Sequence, residues 1–226
     1  MFINFEGGDG SGKSTQSSIL TNRIKQEGFK VILIQEPGST QLGNYLRTWL
    51  KQEDTTPLAE LFLFEAARAE LIHKIISPAL KNSTIIICDR FSDSTLAYQG
   101  FGRGIPLLDI IQLNQIATQG IVADLTFLLD CNPIKSLNRT QQINTADNES
   151  SRRGKEGERF EKETIEFHTR IREGYLKLAA KDPKRWRIIN GEKPIPSISK
   201  EIWTQTKKIL TSKILAPRES GSTYPN

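Results

Sequence analysis

The chain has 226 residues and a formal net charge of +5, from 31 Lys and Arg against 26 Asp and Glu. That length suits one α/β domain or two small ones and is enough to bury a sizeable core, while the charge admits either a nucleic acid or an anionic small substrate as partner. No apolar segment is long enough to cross a membrane, and Met1 leads straight into a strand with no signal sequence before it. Cys88 and Cys131 each end an apolar run and lack a C-x-x-C partner, so they read as reduced core thiols of a cytoplasmic protein rather than a disulfide framework.

The first predicted element is a short strand over Phe2-Ile3-Asn4-Phe5, and a helix from about Lys13 to Glu27 follows. Between them, residues 7–14 read Gly-Gly-Asp-Gly-Ser-Gly-Lys-Ser and fit G-x-x-x-x-G-K-[ST] without a gap. A strand–loop–helix of this kind aims successive backbone N–H groups and the positive end of a helix at one anion, which suits the inner phosphates of a nucleotide. Gly7, Gly8, Asp9, Gly10, Ser11, Gly12, Lys13, Ser14 and Thr15 are therefore the expected ATP contacts. Lys13 would reach the β- and γ-phosphates and the Ser14 hydroxyl would ligate Mg²⁺. The competing reading, a plain glycine-rich turn, leaves four glycines in eight residues without a use.

Further β-type runs come at Phe29–Ile34, Thr84–Cys88, Leu125–Leu129 and Trp186–Ile189. They are short, β-branched and nearly all apolar, as strands covered on both faces should be. Helical stretches at Pro57–Leu80, Pro106–Gln119, Phe160–Ala180 and Pro196–Leu215 separate them. The alternation predicts a three-layer α/β/α fold around a five-stranded parallel sheet, in one domain over residues 1–215. Residues 144–158 are polar and charged and read as a mobile loop, part of a lid over about 142–159; residues 216–226 read as a frayed tail.

Ligands of open α/β sheets bind beyond the carboxyl ends of the strands, here Glu6-Gly7, Gln35–Gly38, Asp89-Arg90 and Asp130. Asp89, ending a buried strand, suits a second Mg²⁺ partner, and Arg90 can grip a phosphoryl group with two prongs. Read alone, Asp89 could equally cap a helix and Arg90 could form a solvated salt bridge.

The P-loop, Glu36-Pro37-Gly38, Phe64-Glu65-Ala66-Ala67-Arg68, the Asp89–Gly100 run, Gly102-Arg103-Gly104 and Arg159-Phe160-Glu161 together resemble the thymidylate kinase family. The resemblance spans nearly the whole chain and fades after about residue 192. It implies MgATP-dependent phosphorylation of dTMP to dTDP by a homodimer packed through helices. It also implies that Phe64 stacks on the thymine ring and Arg68 bonds its carbonyl; the two lie four apart on one helix face. Ser94 or Thr95 and Gln99 would address the base edge, and Tyr98 would crowd the sugar 2′ position. Asp9 and Glu36 would accept from a ribose hydroxyl, and Arg47 and Arg90 would hold the monophosphate.

Three departures qualify this picture. Some thymidylate kinases carry an arginine where this chain has Gly10, so transition-state charge must be met elsewhere; Arg153 and Arg159 in the polar loop are the expected catalytic arginines, with Arg152 and Lys155 beside them. Gln35 stands where an arginine often precedes Glu-Pro-Gly, and Ser39 replaces a usual glycine. The rival functions are a kinase of another nucleoside monophosphate and a nucleic-acid-dependent ATPase. Against the second, the positive charges cluster in a short segment without an interleaved aromatic platform.

Overall fold

A computed structural model describes residues 1–52, 55–147, 160 and 163–215. Five strands form one all-parallel sheet: β1 (Phe2–Glu6), β2 (Val31–Gln35), β3 (Ile85–Asp89), β4 (Leu125–Asp130) and β5 (Trp186–Asn190), in the order β2-β3-β1-β4-β5. The three central strands are the buried ones, as their continuous apolar runs require. The outer two are less covered than expected, with Leu33 and Ile188 exposed, because a helix layer shields the middle of a twisted sheet better than its rims.

Residues of β1 alternate between two cores. Ile3 and Phe5 pack with Leu20 and Ile24 of α1 (Lys13–Gln26) and Ile198 and Ile202 of the last helix. Phe2 faces the opposite layer with Leu71, Ile72, Ile76 and Phe91. Asn4 and Glu6 share the Phe2 side and are fully buried, so a polar network continues that layer toward the ends of the strands.

The helices confirm the α/β alternation and correct several boundaries. The helix expected over Pro57–Leu80 is α3 (Pro57–Leu71), a wide π turn at Ile72–Ile76 and α4 (Ser77–Lys81). Pro57 starts it because the first helical position needs no N–H partner. The helix expected from Phe160 instead starts α8 (Ile165–Lys181), where the Thr164 hydroxyl accepts from the Phe167 N–H at 3.3 Å and caps the first turn. Three helices went unexpected: α2 (Gln41–Gln52), α5 (Ser92–Thr95), which runs into a π turn at Leu96–Gly102, and α7 (Pro133–Asp147). Residues 142–147, expected in the lid, belong to α7; 148–159 and the tail from 216 lie outside the described residues. Helices α6 (Leu107–Thr118) and α9 (Ile195–Leu215) match their predicted runs closely.

The π turn after α5 lies close against α8. A Cβ on Gly102 would come within 2.7 Å of the Phe167 ring, and one on Gly174 within 2.5 Å of Phe101. Both positions must be glycine for the two segments to touch, and that contact carries Tyr98 and Gln99 to the sheet end. Phe5 is fully buried against Phe127, with ring centroids 5.4 Å apart. Phe5→Ala should cost about 3–5 kcal/mol of stability, read as a lowered urea midpoint at an unchanged denaturant slope.

Candidate active site

Register decides the site. Parallel pairing sets Phe5 beside Asp89, so the P-loop leaving β1 and the Asp89-Arg90 pair leaving β3 emerge side by side. Helix α1 begins at Lys13 with no side-chain cap, leaving its first backbone N–H groups for an anion. The Ser14 hydroxyl donates to Asp89 Oδ2 at 2.5 Å, which joins the two expected metal ligands.

Lys13 is buried, and its Nζ donates to the Gly8 carbonyl at 2.7 Å. Burial, seconded by the Arg90 charge, pulls its pKa down to about 8 against the opposing pull of Asp89, Asp9 and Glu6. Arg90 adopts a left-handed backbone at φ 71°, uncommon for a residue with a side chain. Its Nη2 donates to Asp9 Oδ1 at 2.6 Å and to the Tyr98 hydroxyl at 2.9 Å. Its Nη1 donates to Ser94 Oγ and to the Tyr175 hydroxyl, both at 3.3 Å. Burial works to raise the Asp9 carboxyl, but Arg90 and then Lys13 outweigh it and hold it below the usual range.

A second polar cluster forms the far wall. Arg68 is 1% exposed, with Nη2 2.5 Å from Glu36 Oε1 and Nη1 donating to Glu65 Oε1 and to Asn114 Oδ1, each at 2.6 Å. The Glu36 contact is an ion pair out of line for a hydrogen bond, so both Glu36 oxygens retain accepting capacity. Burial pushes Glu36 up to about 7, against the Arg68 charge. Arg68 Nε has no partner among the described residues.

Between these clusters lies a cleft of about 270 Å³. Asp9, Gly10, Lys13, Ser14, Glu36, Arg47, Phe64, Arg68, Asp89, Arg90, Ser94, Thr95, Tyr98 and Gln99 all line it, together with Gln35, Leu50, Phe91 and Phe160. The first fourteen of these, all expected from the sequence, are thus gathered in one place. Gly7 and Gly8 instead face a small neighbouring recess beside Asp130 and Arg172, and Ser11, Gly12 and Thr15 line neither. Arg153 and Arg159 lie outside the described residues.

Some supporting residues escaped sequence reasoning. Glu6 accepts from the Phe91 N–H, Ser94 Oγ and the Tyr175 hydroxyl, and burial raises its pKa. An acid closing a buried strand was its one visible signal. Glu65 had only its helical spacing, three residues before Arg68, and Asn114, which also accepts from Thr95 Oγ1 and donates to the Ser92 carbonyl, had no signal. Ser94, expected at the base edge, spends its proton on Glu6 at 2.6 Å and so braces Arg90.

Comparison with known proteins gives the family. The family model for thymidylate kinase matches residues 5–202. The chain belongs to the thymidylate kinase family. A thymidylate kinase of Synechococcus sp. (strain JA-3-3Ab) is 43% identical over 219 residues, covering 96% of this chain and all of that protein. One from Trichlorobacter lovleyi is 45% identical over 194 residues, covering 84% of this chain and 89% of the relative. The crystal structure of the thymidylate kinase from Ehrlichia chaffeensis superposes with a TM-score of 0.72 at 34% identity, over 91% of this chain and 98% of that one.

Within that family the P-loop glycine of this chain now has a physical reason. Gly10 sits at φ 71°, and a Cβ there would come within 2.0 Å of the Ser136 carbonyl oxygen and 2.6 Å of Thr140 Oγ1, both on α7. An arginine at position 10 would have to displace the first turn of α7. Gly12 also has positive φ, but its Cβ would meet open space. Gly10→Ala should therefore destabilise the fold by about 1–3 kcal/mol more than Gly12→Ala, measured from urea unfolding of the two variants. Equal losses would mean that α7 yields freely.

Proposed function

We propose that the cleft binds ATP and dTMP end to end and that the chain transfers the γ-phosphoryl of ATP to dTMP, giving ADP and dTDP. The P-loop end takes the nucleotide phosphates, with Lys13 at the β- and γ-phosphates. Arg90 and Arg47 take the phosphate of dTMP. Such transfer needs positioning and charge neutralisation rather than a covalent intermediate. The hard oxygen pair of Ser14 and Asp89 fits Mg²⁺, which takes few protein ligands beside phosphate and water; once bound, it would neutralise charge on the phosphates. Arg153 and Arg159 are proposed to supply the positive charge that Gly10 cannot.

The observation that carries the substrate assignment is Arg68, a wholly buried guanidinium in the cleft wall with its Nε–H unpartnered among the described residues. A base carbonyl satisfies that donor, with Phe64 offering a ring face and Glu36 an acceptor for a sugar hydroxyl. Exposed apolar side chains support a homodimer: Tyr45 and Trp49 on α2, Leu58 and Phe62 on α3, Leu108 and Ile111 on α6. The two buried cysteines, both unbridged, suit a reducing cytoplasm, and among the described residues no helix is long and apolar enough to cross a membrane.

Truncating Arg68 would leave Glu36 and Glu65 buried without their countercharge, so Arg68→Lys is the cleaner test. It keeps the charge and loses the fork. By calorimetry, dTMP binding should weaken by about 1–3 kcal/mol while ATP binding is retained. Unchanged dTMP affinity would reduce Arg68 to a brace for the two glutamates.

Lys13 gives a pH signature. With its pKa near 8, roughly half the Lys13 population is neutral at pH 8, whereas an ordinary lysine is still charged. Polyphosphate beside Nζ favours the charged form, so ATP binding at pH 8 should take up roughly half a proton, and affinity should fall as pH rises through 8. Calorimetry in two buffers of different ionisation enthalpy reads the uptake. Lys13→Met should abolish it and lower turnover on the order of 10²-fold or more.

A further inference from the structure

Gln99 is 1% exposed and forms part of the cleft wall. Its Nε2 donates to Glu60 Oε1 at 2.8 Å, and Glu60 is wholly buried in the first turn of α3. A carboxylate only accepts, so this contact turns the amide NH₂ toward Glu60 and its Oε1 the other way. No described residue donates to that Oε1. The arrangement is held from behind: Arg103 Nε stands 3.5 Å from Glu60 Oε1, and Arg103 Nη1 donates to Glu163 Oε1 at 2.5 Å. The Arg103 guanidinium also lies over the Phe167 ring, 4.9 Å from its centroid.

We propose that Glu60 is a positioning residue that fixes the orientation of the Gln99 amide, so that the cleft offers an acceptor to the base and selects pyrimidines carrying a proton at N3. This rests on the reading that Gln99 faces the base. Thymine and uracil donate from N3, whereas cytosine presents a lone pair there. Presented by Oε1, Gln99 pairs with the first two and opposes the third; turned over, it would present NH₂ and match cytosine. A free amide interconverts between the two at little cost, so the discrimination must come from whatever holds it, and here that is a buried carboxylate.

The test compares kcat/KM for dTMP and dCMP in the full chain as wild type, Glu60→Gln, Gln99→Leu and the double variant. Glu60→Gln keeps the side-chain volume but replaces an acceptor-only carboxylate with an amide that accepts or donates equally well. It should raise KM for dTMP about tenfold with kcat within about twofold, and should narrow the dTMP-to-dCMP ratio about tenfold or more. In the Gln99→Leu background it should leave that ratio unchanged. If Glu60→Gln keeps the wild-type ratio while Gln99→Leu narrows it, the proposal fails and base reading by Gln99 stands. If Gln99→Leu also keeps the ratio, the base reading itself fails. Should Glu60→Gln not fold, the exchange Glu60→Gln with Gln99→Glu decides: the donor then sits at position 60 and an acceptor-only group faces the base. A ratio near wild type supports the proposal, and a collapsed one overturns it.

Discussion

The Arg90 guanidinium is the interaction on which the site depends. Its partners come from four separate parts of the chain: Asp9 in the P-loop, Ser94 in α5, Tyr98 in the π turn and Tyr175 in α8. The left-handed backbone at Arg90 costs of order 1 kcal/mol or more and persists only because these bonds over-determine it. Glu6 completes the clamp from beneath by accepting from Ser94 and Tyr175. Burying one arginine among so many oxygens makes sense where a doubly charged phosphate must be gripped without reorganisation.

The opposite wall follows the same logic with a different purpose. Arg68 is enclosed by Glu36, Glu65 and Asn114, so most of its fork is committed before any ligand arrives. One buried donor is left over, and the adjacent Glu36 keeps its acceptors open. Such a cluster adds little net stability over an apolar replacement, yet loses heavily if half of it is removed. On the proposed reading, its value is a polar surface already desolvated, against which a base with the wrong donor pattern would leave groups unpaired.

Gly10 links packing to chemistry. The α7 backbone at Ser136 lies where a side chain at position 10 would start, so the P-loop is closed in by a helix instead of carrying its own arginine. Packing at one glycine thus excludes an arginine from this position of the P-loop unless α7 shifts. The same first layer of contacts lets α1 present its uncapped N-terminus and lets Lys13 stay buried at a depressed pKa.

Much of this was legible in the residues. The unbroken G-x-x-x-x-G-K-S motif, the β-branched apolar runs and the acids at strand ends determined a P-loop, a parallel sheet and the phosphate end of the cleft, because these signals are local: backbone conformation, side-chain period and strand-end position are all set within a few residues. Arg47, Phe64, Arg68, Ser94, Thr95, Tyr98 and Gln99 came only from the family resemblance. Of the missed helices, α5 spans only four residues and α7 is mostly polar, whereas α2 carries a clear helical period in Leu42, Tyr45, Leu46, Trp49 and Leu50 that was legible in the chain. Only the tertiary structure decided that Ser94 donates to Glu6, that Asn114 holds Arg68, and that α7 forbids a side chain at Gly10. Those roles belong to pairs up to 126 residues apart, as with Gly10 and Ser136, and a hydrogen-bonding partner across the sheet leaves no mark on the spacing of either residue in the chain.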